Sequence, residues 1–91
     1  MENEVIVGQI VKSTAGRDKN AYFLVLKVLP KERIVLLVDG DKRRMNNPKK
    51  KNLRHIQATH LVAKDLAEKM IAGVESCDRE IKRYLKEVNV D

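Results

Sequence analysis

The sequence predicts an α+β domain, in which a small and strongly bent β-barrel precedes a helical extension. Two changes along the chain indicate this. Before about residue 60 the apolar residues are largely β-branched and come in short runs separated by turn-forming residues, as is typical of strands. After that point they recur every four positions, the period of an amphipathic helix. Only three of the 91 residues are aromatic, so we expect an aliphatic core.

The first three strands are predicted at residues 5–11, 22–29 and 33–38. Each of these runs is rich in Val, Leu and Ile, which favour extended backbone in a half-buried sheet. Turn-forming residues at 13–20 separate the first two strands, and a short Pro-containing hairpin at 30–32 joins the second to the third. The order predicts an antiparallel meander.

Two further strands complete the predicted barrel. After a turn at Asp39-Gly40-Asp41, a weak fourth strand is predicted at residues 42–45, where Asn46-Asn47-Pro48 ends it. A fifth, at residues 53–57, returns to the sheet. Five short strands in under sixty residues favour a small barrel over an open sheet.

The second half of the chain predicts two helices. Val62, Leu66, Met70 and Val74 are each four residues apart, and the apolar stripe continues to Val88. Gly73 interrupts it, so we predict a break at residues 73–76. Ser76 or Cys77 is predicted to cap the second helix, with Glu80 reaching back to complete a capping box.

The strands also predict where the helices pack. The second and third strands are apolar at both even and odd positions, whereas a strand with one solvent-exposed face alternates between apolar and polar residues. One outer face of the barrel is therefore expected to be covered, and the helices are the available cover. We accordingly divide the chain into a barrel at residues 1–58 and a helical extension at residues 59–91, packed on the barrel.

The positive charge of the protein is concentrated in one segment. Residues 42–60 contain seven basic side chains and no acidic one, whereas residues 1–41 balance at six of each sign. Residues 61–91 have six basic and seven acidic side chains, so the segment accounts for the whole formal charge of +6. A local excess of this kind favours a polyanion as partner, nucleic acid first, although the simpler interpretation is a solubilising charged run.

Residues 7–28 resemble the KOW motif of ribosomal and transcription-elongation proteins. They read VGQIVKSTAGRDKNAYFLVLKV, with the near-invariant glycine of the motif at Gly16. The continuation, VDGDKRRM at 38–45 and PKKKNLRHI at 48–56, resembles large-subunit ribosomal proteins of the KOW class and their small bacterial relatives. Over residues 4–58 this resemblance implies an SH3-like barrel that binds RNA, chiefly ribosomal RNA. The chain departs from many members at Asn20, where they have Gly, but Asn tolerates the left-handed backbone.

The predicted RNA contacts come from the loop of the motif and from the basic segment. The resemblance implies that Arg17 and Lys19 touch RNA from the loop tip. Arginines in the segment are expected to make the geometrically specific contacts and lysines the electrostatic ones. The nine predicted residues are Arg17, Lys19, Lys42, Arg43, Arg44, Lys49, Lys50, Lys51 and Arg54. Tyr22 fits either base stacking or barrel packing. Because residues 49–51 include few core candidates, replacing all three lysines with Glu is expected to leave the fold intact.

The sequence therefore predicts a cytoplasmic, ribosome-associated protein that binds structured RNA, with ribosomal RNA as the first candidate, and does no chemistry. The alternative is a protein-interaction module that uses the barrel or the helices. The sequence shows no nucleophile beside a base, no paired carboxylates and no phosphate-binding loop, so nothing in it suggests an enzyme. No cofactor or small-molecule substrate is therefore expected. Two histidines without cysteine pairs predict no metal site, and the single cysteine, Cys77, is expected to be a buried thiol in a reducing compartment. No membrane partner is expected, and the oligomeric state is open.

Overall fold

The computed structural model describes residues 5–73 and 77–88, and it shows an α+β domain. Five antiparallel strands form one sheet, and two helices follow it. The strands are β1 Gln9–Ser13, β2 Tyr22–Leu29, β3 Ile34–Val38, β4 Lys49–Asn52 and β5 Ile56–Val62. The helices are α1 Lys64–Ile71 and α2 Asp78–Glu87. Short 3₁₀ turns at Pro30–Glu32 and Leu53–His55 connect β2 to β3 and β4 to β5.

The sheet is curved so strongly that its two edges approach each other. The strand order is β4-β3-β2-β1-β5, so β4 and β5 are consecutive in the chain but lie at opposite edges. In a flat sheet of five strands the edge strands lie about 19 Å apart, whereas the four steps from Asn52 to Ile56 reach at most about 14 Å. Irregular register between Gln9 and Val11 and between Val25 and Lys27 supplies local bends. The geometry is compatible with a small barrel-like fold.

The curved sheet has an apolar cluster on each face. Inside the curve, five fully or almost fully buried residues pack together, and these are Val11, Phe23, Val25, Val35 and Leu37. On the outer face Ile10, Leu24 and Val38 pack against the helices, through residues that include Met70 and Ile81. Strands with apolar residues at both parities are thus covered on both faces, and the prediction that the helices form the outer cover is confirmed.

Two glycines allow the sheet and the helices to approach closely. Gly8 has a φ of +88°, and a Cβ there would lie 2.5 Å from the Cβ of Ala67 in α1. Gly40 has a φ of +77°, and a Cβ there would overlap the main chain of Asp78 and Lys82 at the start of α2. Both positions require a residue without a side chain, since the left-handed backbone and the close contact each exclude one. Each helix is therefore docked through a glycine.

The segment before β4 differs from the sequence prediction. Residues 42–45 were predicted as a strand but belong to a loop, and the fourth strand is Lys49–Asn52. The loop closes on Asp39, whose Oδ1 accepts the backbone N–H groups of Asp41 and Arg43 at 2.9 and 2.8 Å. A side-chain acceptor that satisfies two backbone amides of the segment competes with strand pairing, which explains why the predicted strand does not form.

The other element boundaries also shift. Gly8 turns the chain, so β1 begins at Gln9 and residues 5–8 are not a strand. The predicted fifth strand is wrong at its start, because residues 53–55 form a 3₁₀ turn, and β5 runs on to Val62, past residue 58. Cys77 occupies the N-cap position of α2 without a side-chain hydrogen bond, and Ser76 lies outside the described residues. Within the described ranges, Glu80 accepts from Lys69 of α1 at 2.9 Å and so ties the helices together.

Candidate nucleic-acid interface

A groove at one end of the strands brings together basic residues from two distant parts of the chain. It lies between the β1–β2 loop and the β3–β4 loop and has a volume of about 550 Å³. We call it the loop groove. Its cationic side chains are Arg17, Lys19, Lys42, Arg43 and Lys49. Five of the nine residues predicted from the sequence therefore meet at one place.

The β1–β2 loop has the backbone that its glycine and asparagine predict. Gly16 and Asn20 have φ values of +85° and +75°, and the Asn20 N–H donates to the Ser13 carbonyl at 2.7 Å. The intervening turn presents Arg17 and Lys19 to solvent, and neither forms an ion pair with another described residue. Exposed cations on a fixed turn are well placed to contact phosphate.

Asp18, between these two cations, is turned toward the sheet and organises this end of it. Its Oδ1 accepts from Ser13 Oγ at 2.7 Å and from Lys51 Nζ at 2.8 Å, and its Oδ2 lies 3.4 Å from Lys49 Nζ. Burial by itself would raise the pKa of Asp18, but hydrogen bonds from Lys51 and Ser13 and the charge of Lys51 outweigh it and lower the pKa to about 2. The carboxylate thus stays charged and links the loop to β4.

The alternation of β4 divides the three consecutive lysines. Lys49 and Lys51 pair with Leu37 and Val35 and share the inner face of the sheet, whereas Lys50 pairs with Leu36 on the outer face. Lys51 is only 8% exposed, and its amine also donates to the Ala15 carbonyl at 2.7 Å. Lys51, predicted as an RNA contact, is thus buried in a structural ion pair. Replacing it with Glu would set two carboxylates together, which removes the reason to expect the triple Glu variant to keep its fold.

The β3–β4 loop is anchored to the start of α2 through Met45, the residue that follows its two arginines. The Met45 N–H donates to Asp78 Oδ1 at 2.9 Å, and Met45 Sδ lies 3.4 Å from the buried thiol of Cys77. Burial raises the pKa of Cys77, as expected of a thiol in a cluster of apolar residues. Arg43 is half-buried at the groove, and Arg44 is exposed with its Nε donating to the Asp41 carbonyl at 3.1 Å. Docking on α2 therefore fixes the position of these arginines.

Besides the buried Lys51, three of the predicted contacts lie apart from the groove lining. Arg44 is on the same loop but outside it, while Lys50 and Arg54 are exposed on the outer face of β4 and in the turn that follows. Tyr22 packs with the helix cluster, and the amine of Lys12 lies 5.9 Å from its ring centre, so packing is the role that the structure shows.

Acidic side chains, which the prediction of RNA contacts did not include, also line the groove. Asp18, Asp39 and Asp41 share it with the five cations. Asp39 is occupied by two backbone amides, and Asp41 lies 3.7 Å from Lys82. One feature of the sequence could have indicated the structural role of Asp18, namely that it is an acidic residue between the cations Arg17 and Lys19. The groove is positive overall but less so than its cations alone suggest.

Metal sites, membrane spans and known families add no second candidate. Within residues 5–73 and 77–88 no three His, Cys, Asp or Glu side chains cluster in a way that would hold a metal ion. Over the same ranges, no helix has the length and apolar character needed to cross a membrane.

No protein-family model matches the chain, and no curated protein matches it significantly. The resemblance to KOW-domain proteins therefore stays a prediction.

Proposed function

We propose that the protein is a non-catalytic RNA-binding protein with an SH3-like KOW barrel, and that structured RNA binds in the loop groove. The observation that carries this proposal is the convergence of Arg17 and Lys19 with Lys42 and Arg43 across the groove. These pairs are more than twenty residues apart in sequence, and the fold sets their charges around one depression. Ribosomal RNA is the first candidate ligand, because the KOW resemblance implies it.

The chemistry of the groove suits the RNA backbone. Arginine binds phosphate through two parallel N–H groups, and lysine acts as a point charge. Neutralising phosphates releases condensed counterions, which supplies most sequence-independent affinity. The carboxylates in the groove repel misplaced phosphates and so limit how a strand lies there.

The test compares two variants of equal charge change. Arg17→Gln/Lys19→Gln/Lys42→Gln removes three exposed groove cations, and Lys64→Gln/Arg79→Gln/Lys86→Gln removes three exposed helix cations as a control. Crosslinking of RNA in cells, followed by sequencing, would give reads concentrated on defined ribosomal RNA segments for the unmodified protein and the control. We expect those reads to be lost in the groove variant. Equal loss in both variants, or none in either, would contradict the proposal and favour the alternative of a protein-interaction module.

A further inference from the structure

A second group of exposed cations lies at the opposite end of the strands from the loop groove. On the outer face of the sheet, Leu36 pairs with Lys27 of β2 on one side and with Lys50 of β4 on the other. Directly opposed residues in antiparallel strands project from the same face. With strands about 4.8 Å apart, the Cα atoms of the two lysines are about 10 Å apart. The helices pack on the other half of this face, around Leu24 and Val38, and leave the two lysines exposed.

The connections at this end add three more cations. Lys31 and Arg33 lie in the β2–β3 hairpin, and Arg54 lies in the turn between β4 and β5. The Leu53 N–H donates to the Arg33 carbonyl at 2.9 Å, which holds the two connections together. We call the five residues the hairpin-end face, and they are Lys27, Lys31, Arg33, Lys50 and Arg54. All five are exposed.

The hairpin-end face has fewer acidic side chains near its cations than the loop groove has. None of its five cations forms an ion pair with a residue in the described parts of the chain, and Glu32 is the one acid in the hairpin. The groove has three carboxylates among its five cations. By charge alone, the hairpin-end face is the stronger attractor for an anion.

The surroundings favour phosphate over a protein as the occupant. Leu29, Ile34 and Leu36 on this face are half-buried, and no aromatic residue is present among the described residues there. Protein interfaces centre on buried aromatic or Arg anchors, whereas both arginines of this face, Arg33 and Arg54, are exposed. Long lysine side chains cover apolar surface while their amines stay in water, where a phosphate chain can reach them.

We propose that the hairpin-end face binds a second stretch of RNA backbone, separate from the stretch in the loop groove. The inference rests on the proposed function and extends it, because Lys27, Lys31 and Arg33 are contacts that the sequence did not predict. β2 runs from the groove to the hairpin, and its eight residues span at most about 26 Å. Lys50 adjoins the groove residue Lys49 in sequence but lies on the opposite face of the sheet. Two contacts on opposite faces recognise the shape of a folded RNA and not a short local sequence.

Three variants with the same charge change test the proposal. The face variant is Lys27→Gln/Lys50→Gln/Arg54→Gln, and the groove and helix variants are those defined above. Each is titrated with purified large-subunit ribosomal RNA at several salt concentrations, and urea unfolding confirms that each is folded. We expect the face variant to weaken binding tenfold or more relative to the helix variant. Its slope of log K against log salt should be shallower by about 2 to 3, at about 0.9 per lost phosphate contact.

The outcomes separate the two proposals. A face variant that equals the helix variant, while the groove variant binds weakly, would overturn the hairpin-end face alone. If all three bind alike, both proposals are wrong. If only the face variant weakens binding, RNA binding belongs to the hairpin-end face and the groove proposal is overturned.

Discussion

Lys51 illustrates how a single basic residue can belong to the fold and not to the binding surface. Its amine bridges Asp18 and the Ala15 carbonyl, so β4 and the β1–β2 loop are joined across the end of the curved sheet. Lys50, its neighbour, faces the other side of the sheet and is exposed. Two adjacent lysines of equal charge therefore have different energetic roles, and one substitution applied to both distinguishes them.

We predict that Lys51→Met destabilises the protein by about 2 kcal/mol, because it leaves Asp18 with the Ser13 hydrogen bond and, as its ion-pair partner, only the more distant Lys49 at 3.4 Å. Lys50→Met at the exposed position should change the free energy of unfolding by less than about 0.5 kcal/mol. Urea unfolding of the two variants measures the difference. Equal stabilities would show that the Asp18–Lys51 contact contributes nothing.

A second prediction at this scale concerns pH. The pKa of Asp18 is about 2 in the folded protein against an ordinary value of 3.8. A carboxyl whose pKa is lower in the folded than in the unfolded protein stabilises the fold at pH values above its unfolded pKa. That contribution is lost as the pH falls, here between about pH 4 and pH 2. The difference corresponds to about 2 kcal/mol. The gap in unfolding free energy between the unmodified protein and Asp18→Asn should therefore narrow by this amount from pH 6 to pH 2. A gap that is independent of pH would contradict the assignment.

At the scale of elements, the docking of α2 on the β3–β4 loop depends on Gly40. An Ala there meets two penalties, the left-handed φ of +77° and an overlap with the main chain of α2. Gly73 has a similar φ of +75°, but no atom of the described residues lies within 4 Å of the position that a Cβ would take, so it carries the first penalty alone. Comparing an Ala substitution at each of the two glycines therefore separates the cost of backbone strain from the cost of the close approach to α2.

We predict that Gly73→Ala costs about 1 kcal/mol, and that Gly40→Ala costs at least about 2 kcal/mol more, because α2 must move away. Thermal or urea unfolding gives the stabilities, and amide exchange in α2 reports whether the helix loosens. Since the loop also holds Arg43, Gly40→Ala should weaken RNA binding as well. Equal costs at the two glycines would mean that the contact with α2 is not tight.

The elements also show how far the sequence predicts the fold. β2, β3 and both helices follow from their apolar periodicity, since burial on two faces or on one stripe leaves a clear pattern. β4 has the sequence KKKN and no such pattern, because it is an edge strand and two of its lysines serve an ion pair. The prediction of a strand at residues 42–45 is wrong because the capping role of Asp39 depends on a loop conformation that the residues alone do not reveal.

For the whole molecule, the fold redistributes a charge that is contiguous in sequence. Six of the seven cations of residues 42–60 separate into three groups: groove residues, a structural pair with Asp18, and residues of the hairpin-end face. The seventh, Arg44, is exposed on the β3–β4 loop outside the groove. The sequence predicted the excess and its sign. It did not predict the division, because that follows from the two-residue period of β4 and from the β3–β4 pairing, which brings Arg33 beside the β4–β5 turn.

The molecule as a whole also indicates which form of RNA the proposed binding would favour. Its three aromatic residues are engaged in packing: Phe23 is 4% exposed in the inner cluster, and Tyr22 and Tyr84 are half-buried against the helix cluster. Proteins that bind single strands stack successive bases on exposed aromatics, which contributes about 1–3 kcal/mol per base. With no such platform, affinity must come from phosphates held in a fixed arrangement, so we expect an RNA hairpin with a long paired stem to compete for the protein at least tenfold better than poly(U) of equal length. Competition against labelled ribosomal RNA at fixed salt measures this ratio. Equal competition by poly(U) would show that charge density alone determines binding and that neither basic surface recognises RNA shape.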